Sequence, residues 1–156
     1  MGFDADIGVH QVSERQCPAV TFLGRLRGEN ARAPHLDIDQ DNLHDGEVLK
    51  GVVDHYGSTS NVDLILVSDT GRVQNLSRLL KLGTGAKTFD IGMKRPEGST
   101  GRQPQLLIAV ASPSPIDALR PAQPTDADQF FPPVLSDAAQ SGKSLSAAAR
   151  YFTLEK

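Results

Sequence analysis

The sequence predicts a mainly β fold (α+β by content): an antiparallel β-sandwich-like domain with a short N-terminal helix and small C-terminal helices. Three observations carry that expectation. Residues 62–67 and 105–111 are short apolar runs bounded by turn formers or prolines, the pattern of strands buried on both faces. Stretches around Leu36, Leu49 and Ile91 alternate apolar with polar residues, the period of a half-buried strand. Outside one or two turns over residues 76–82, helical spacing falls in the region before residue 29 and in the C-terminal part of the chain.

Taken in order, Ile7 and Val9 with their polar neighbours predict a short strand over residues 5–12. Ser13-Glu14-Arg15-Gln16 has the form of a capping box. Pro18 suits a first helical turn, where its missing N–H removes no hydrogen bond. Val20, Leu23 and Leu26 then recur at threefold spacing beside Phe22, so an amphipathic helix is expected to end near Gly28. After a polar linker, Leu36 and Ile38 alternate with His35, Asp37 and Asp39 and predict a strand. Residues 42–46 carry turn chemistry, residues 47–53 form a strand with Leu49 and Val53 on one face, and residues 57–61 form a loop.

The clearest hairpin joins residues 62–67 to residues 72–76. Asp69 starts a type I turn and Gly71 takes the left-handed position of a bulged three-residue connection. Residues 76–82 (LSRLLKL) read as one or two helical turns over the sheet, and residues 83–86 as a loop. Phe89 and Ile91 mark a strand over 87–93, followed by a loop over 96–102. The second central strand, 105–111, is ended by Pro113 and Pro115. Residues 121–133 are rich in Pro and Asp and read as a connector, 134–141 as a short helix and 149–154 as a closing strand. The expected organisation is one structural domain: an N-terminal strand and helix over 1–34, a sandwich core over 35–120, and a connector, helix and closing strand over 121–156.

At 156 residues the chain can bury a core without staples. Its formal charge of −3 gives no bulk basic character, so no nucleic-acid partner is expected. No apolar run approaches the length of a transmembrane helix, so no membrane insertion is expected in this segment. The single cysteine excludes an internal disulfide and zinc sites built on several cysteines. Met1-Gly2-Phe3-Asp4 shows neither the basic nor the apolar region of a signal peptide, and the chain is expected to be a piece of a longer protein.

Tests for chemistry are mostly negative. Gly83-Thr84-Gly85-Ala86-Lys87-Thr88 departs from a phosphate loop, because Ala86 and Lys81 stand where glycines are required. Asp37-x-Asp39-x-Asp41 opens like a calcium loop, yet Asn42 and Val48 occupy the sixth and twelfth positions where Gly and Glu are needed. A looser carboxylate site could use Asp37, Asp39, Asp41, Asp45 and Glu47; the competing reading is a solvated acidic edge that discourages aggregation. His10, His35, His44 and His55 show no metal-binding spacing. Asp54-His55 with Ser58 or Ser60 is composition without triad geometry, and no G-x-S-x-G elbow occurs. Cys17 near a helix N-terminus could be an activated nucleophile; a buried structural thiol is the expected reading. No cofactor is expected.

Charge is laid out in blocks. Residues 35–69 hold eight acidic residues and one basic, whereas residues 72–102 hold seven basic and two acidic. Either the two blocks pair across a sheet, or they form separate patches that steer a partner. In the second reading Arg72, Arg78, Lys81 and Lys87 make the basic side, with Leu79 in its contact core.

The segment from Leu36 to Ile116 also resembles a bacterial β-sandwich domain of unknown function that is appended to serine/threonine protein kinases and caspase-like peptidases. The matching features are Leu43-His44-Asp45-Gly46-Glu47-Val48-Leu49, the 62–67 strand with Asp69-Thr70-Gly71-Arg72-Val73, Phe89-Asp90-Ile91, and the run from Gln105 to Pro113. The stretch around Gln16-Cys17-Pro18 is similar to a segment that precedes the module in some relatives. Leu76-Ser77-Arg78 departs from the proline often found after the hairpin. The resemblance implies a small sandwich, often outside the cytoplasm, with no assigned activity and no catalytic residue to carry over. The expected function is therefore a non-enzymatic protein-interaction or ligand-binding module of a larger bacterial protein or assembly. Its partner would be another protein or another domain of the parent chain, and its location extracytoplasmic. The alternatives are a metal- or carbohydrate-binding sandwich using the acidic strand, and an enzyme centred on Cys17 or His55.

Overall fold

The two apolar runs lie side by side at the centre of the molecule. A computed structural model of the chain describes residues 16–25, 34–54, 61–68, 70–82, 86–93, 103–112, 117–119, 124–141 and 145–155. The strands are β1 (His35–Ile38), β2 (Asn42–His44), β3 (Val48–Asp54), β4 (Asn61–Val67), β5 (Arg72–Asn75), β6 (Lys81–Leu82), β7 (Ala86–Gly92), β8 (Gln103–Ser112), β9 (Thr125–Asp126) and β10 (Ser146–Glu155). Helix α1 spans Cys17–Arg25 and α2 spans Ala127–Ser141, with short 3₁₀ turns at Ser77–Leu79 and Asp117–Leu119.

The strands form a four-stranded sheet, β1-β3-β7-β6, and a six-stranded sheet, β2-β10-β8-β4-β5-β9. Every pairing is antiparallel except β2 with β10. Side-chain parity then builds three layers. On β8, Leu107, Ala109 and Ala111 join Leu49, Val53, Phe89 and Ile91 in a core between the sheets. The alternate residues Leu106, Ile108 and Val110 meet Ala19 and Phe22 of α1 and Phe130, Phe131 and Val134 of α2 in a second core. The helical layer closes where the Phe22 and Phe131 rings stack, tilted, with centroids 4.8 Å apart. This is the mainly β, sandwich-like arrangement with flanking helices that the pattern predicts.

Three polar side chains fasten the layers. Gln16 is fully buried, and its amide donates to the carbonyls of Val67 (3.2 Å) and Pro104 (3.0 Å), tying the start of α1 to β4 and β8. Arg150 on β10 donates to the Leu36 carbonyl at 2.8 Å and so bridges to the other sheet. Asp63, fully buried on β4, accepts from the Ser77 hydroxyl at 2.8 Å and the Asn75 amide at 3.2 Å. Ser77 Oγ in turn accepts from the Leu64 N–H at 3.0 Å. This network fixes the corner where the chain leaves β5 for the other sheet.

Several elements differ from the sequence expectation. Asn42–His44 is a strand rather than turn residues, because it pairs in parallel with the last strand, a contact no local pattern reveals. The turn is limited to Asp45 and Gly46, whose φ of 88° requires glycine. Of the helical turns over 76–82, only Ser77–Leu79 forms, as a 3₁₀ turn, and Lys81–Leu82 is an edge strand. Helix α2 starts at Ala127 and contains Pro132 and Pro133, inside the stretch read as a connector. Each proline removes an intrahelical bond; both are exposed, while Phe130, Phe131 and Val134 hold the buried face. The closing strand is longer than 149–154 at both ends. The strand over 5–12, the helix end near Gly28 and the loops at 57–60, 83–85 and 96–102 lie outside the described residues.

β4 and β5 pair as the expected hairpin and Gly71 takes the positive φ read for it, 83°; Asp69 lies outside the described residues. On β3, a Cβ at Gly51 would overlap the Phe89 ring and the Asp37 carbonyl, so only glycine lets that ring lie across the strand.

Candidate functional site

The basic residues singled out by the sequence are spread over both sheets. Arg72 is exposed on β5, donating to the Pro124 carbonyl at 3.4 Å with Asp126 3.8 Å away. Arg78 is exposed on the 3₁₀ turn, and Leu79 packs half-buried against the inter-sheet core. Lys81 on edge strand β6 lies 3.6 Å from Asp90, and Lys87 is half-buried on β7. The acidic β1 and β3 and the basic β7 and β6 share one sheet, with Lys50 opposite Asp90 in register.

The acidic residues find separate partners. Asp37 lies 3.6 Å from Arg150 and 3.5 Å from His35, and Asp39 accepts from the Lys50 N–H at 3.3 Å. The Asp41 carbonyl accepts from the Thr153 N–H, and the Asp45 N–H donates to the Glu155 carbonyl. Glu47 accepts from the His44 backbone N–H at 2.6 Å and contacts its ring at 3.0 Å. Those bonds, the backbone one first, hold the Glu47 carboxyl below the usual range. Among the described residues no three His, Cys, Asp or Glu side chains converge as a metal site would require.

Cys17 is exposed, not buried as the sequence suggested. It opens α1, whose inward face is taken by Gln16, Ala19 and Phe22 at threefold spacing, and that leaves the thiol toward a groove beside α2. This groove, about 540 Å³, is lined mainly by Pro18, Phe22, Phe131 and Leu135, with Asp128 at its side and no imidazole among the described residues. His55 lies outside the described residues.

A second cavity, of about 480 Å³, opens between the sheets at one end of the sandwich. Its floor is the start of β8. Gln103 and Gln105 continue the face that carries Leu107 and Ala109 into the core, so parity turns both amides inward. They are 7% and 4% exposed. Both line the cavity, and neither side-chain amide makes a hydrogen bond among the described residues. Beside them, Leu66, Arg72 and Gln74 come from β4 and β5. Across the gap stand Ile91, Gly92 and Met93, where β7 ends. Ser68 and Thr70 close the rim, their hydroxyls 2.9 Å apart.

Among the described residues the lining contains no Asp, Glu, His, Cys or Lys, and Arg72 is the one charged side chain. Such a cavity can hold a ligand through amide and hydroxyl hydrogen bonds and aliphatic contact. Among the described lining residues there is no nucleophile beside a base and no acid–base pair. Neither buried glutamine was singled out from the sequence. The available signal was two glutamines with the parity of Leu107 at the mouth of a strand that is apolar on both faces. No protein-family model matches this chain, and no curated protein matches it.

Proposed function

We propose that this chain is a non-enzymatic recognition module of a larger bacterial protein and that the cavity at the end of the sandwich is its binding site. One observation carries the reading: Gln103 and Gln105, residues only 7% and 4% exposed, line a cavity with amides that have no hydrogen-bond partner among the described residues. A buried amide left unpaired costs about 1–3 kcal/mol, so a fold keeps such groups where water or a ligand meets them. The cavity volume falls within the roughly 300–1,000 Å³ usual for ligand pockets. The extracytoplasmic setting and the partner in another protein or domain rest on the resemblance read from the sequence to bacterial modules appended to kinases and peptidases. Arg72, on the cavity wall, is the member of the basic set placed to contact that ligand; Arg78, Leu79, Lys81 and Lys87 would serve a separate protein contact.

The test uses the NH₂ resonances of glutamine side chains with N-methylacetamide and ethylene glycol as probes. Gln103 and Gln105 should shift saturably with at least one probe, while Gln129 and Gln140, exposed on α2, should not. Equal, non-saturating shifts at all four would remove the cavity as a binding site.

A further inference from the structure

We infer that the cavity takes an extended peptide segment of a partner protein, lying along β8 with its backbone amides paired to Gln103 and Gln105; this rests on the cavity being the binding site. The first argument is spacing. Residues two apart on a strand lie about 6.8 Å from one another, and an extended chain repeats its same-side backbone amides at that interval. Two glutamine amides at positions 103 and 105 are therefore in phase with a strand running beside them. Each primary amide offers a donor and an acceptor and can pair with a peptide group in both senses.

The second argument is the rest of the lining. Leu66, Leu76, Ile91, Met93 and Leu154 give an aliphatic wall suited to alternate side chains of such a segment. Met93 supplies an adaptable surface of the kind found where differing side chains are accepted. A saccharide fits the described lining less well: among the described residues no aromatic ring is there to receive a sugar face and no carboxylate to accept from clustered hydroxyls.

Titration of the folded chain with acetyl-Val-amide, acetyl-Val-Thr-Val-amide and maltotriose, followed at the Gln103 and Gln105 NH₂ resonances, tests the assignment. One residue can reach only one glutamine, whereas three span both. The tripeptide should thus bind about tenfold more tightly than the single residue, the factor for roughly one added hydrogen bond. Gln105→Met should abolish that advantage while leaving the backbone spectrum of β8 and β10 in place. Equal binding of the two peptides, or tighter binding of maltotriose, overturns the peptide assignment and leaves a binding site of another class. If neither these ligands nor N-methylacetamide and ethylene glycol move the two resonances, the binding-site reading falls with it.

Discussion

Replacing the two cavity glutamines should make the protein more stable. Gln103→Met and Gln105→Met keep chain length and flexibility but remove an amide from a site that is 7% or 4% exposed and has no protein partner. An unpaired buried amide is unfavourable by about 1–3 kcal/mol. Both groups line an open cavity, so water recovers part of that. A net gain of about 0.5–1 kcal/mol per site, about 1–2 kcal/mol for the pair, is the expected result. For a chain of this length each kcal/mol moves the thermal midpoint by about 2–4 °C, so the double variant should melt roughly 3–6 °C higher. Urea unfolding should show a higher midpoint at unchanged slope. The sites are neighbours, and the double variant need not equal the sum of the singles. Leu107→Ala, two residues along the same face, should lose about 2–5 kcal/mol and serves as the contrast. A lower midpoint for the double variant would refute the reasoning, because it would make the amides structural.

Gly51→Ala should destabilise by about 1–3 kcal/mol, since the new Cβ meets the Phe89 ring and the unyielding Asp37 carbonyl; urea unfolding measures it, and a loss near zero contradicts the close packing. Asp63→Ala should lose about 3 kcal/mol by stripping the Ser77 hydroxyl and Asn75 amide of their shared acceptor, and the same measurement tests it. Burial pushes the Tyr151 phenol above its ordinary value near 10. A raised folded pKa leaves stability intact below about pH 10 and removes it as pH climbs through the folded value, so Tyr151→Phe should flatten the alkaline limb of a melting-temperature profile. Glu47 has the opposite sign: its lowered pKa contributes stability above the ordinary carboxylate range that fades as pH falls through the folded value, and Glu47→Gln should remove that acid-side slope.

The central strands were legible because their signal is local. Residues 62–67 and 105–111 can bury both faces only as interior strands, and β4 and β8 do pair antiparallel over that length. The 68–71 connection was legible for the same reason, since Gly71 must supply a positive φ within the turn itself. What escaped depends on distant contacts. Asn42 faces Thr153 across 111 residues, and nothing near Asn42 marks it as a strand. Helix α2 tolerates Pro132 and Pro133 because its buried face is paid for by tertiary packing, so propensity misreads its first half. Asp63 sits in the acidic stretch and looks solvated, yet the β5 corner brings Asn75 and Ser77 to it.

The cavity glutamines show why site and scaffold can occupy one strand without conflict. Along the inward face of β8 the side chains run Gln103, Gln105, Leu107, Ala109, Ala111. The last three are sealed by Leu49, Val53 and Phe89, whereas the first two face the cavity opposite Ile91 and Met93 at the end of β7. Hydrophobic burial therefore fixes the register of β8 from one end. That fixed register sets which two side chains emerge at the other end, and at what spacing. Gln16 strengthens the link, since it holds the carbonyl of Pro104, the residue between the two glutamines, through a bond from the helical layer. The amides are thus positioned by groups that do not touch the cavity: a rigid frame carries hydrogen-bonding capacity that the described part of the fold does not use, which is what the proposed recognition role would need.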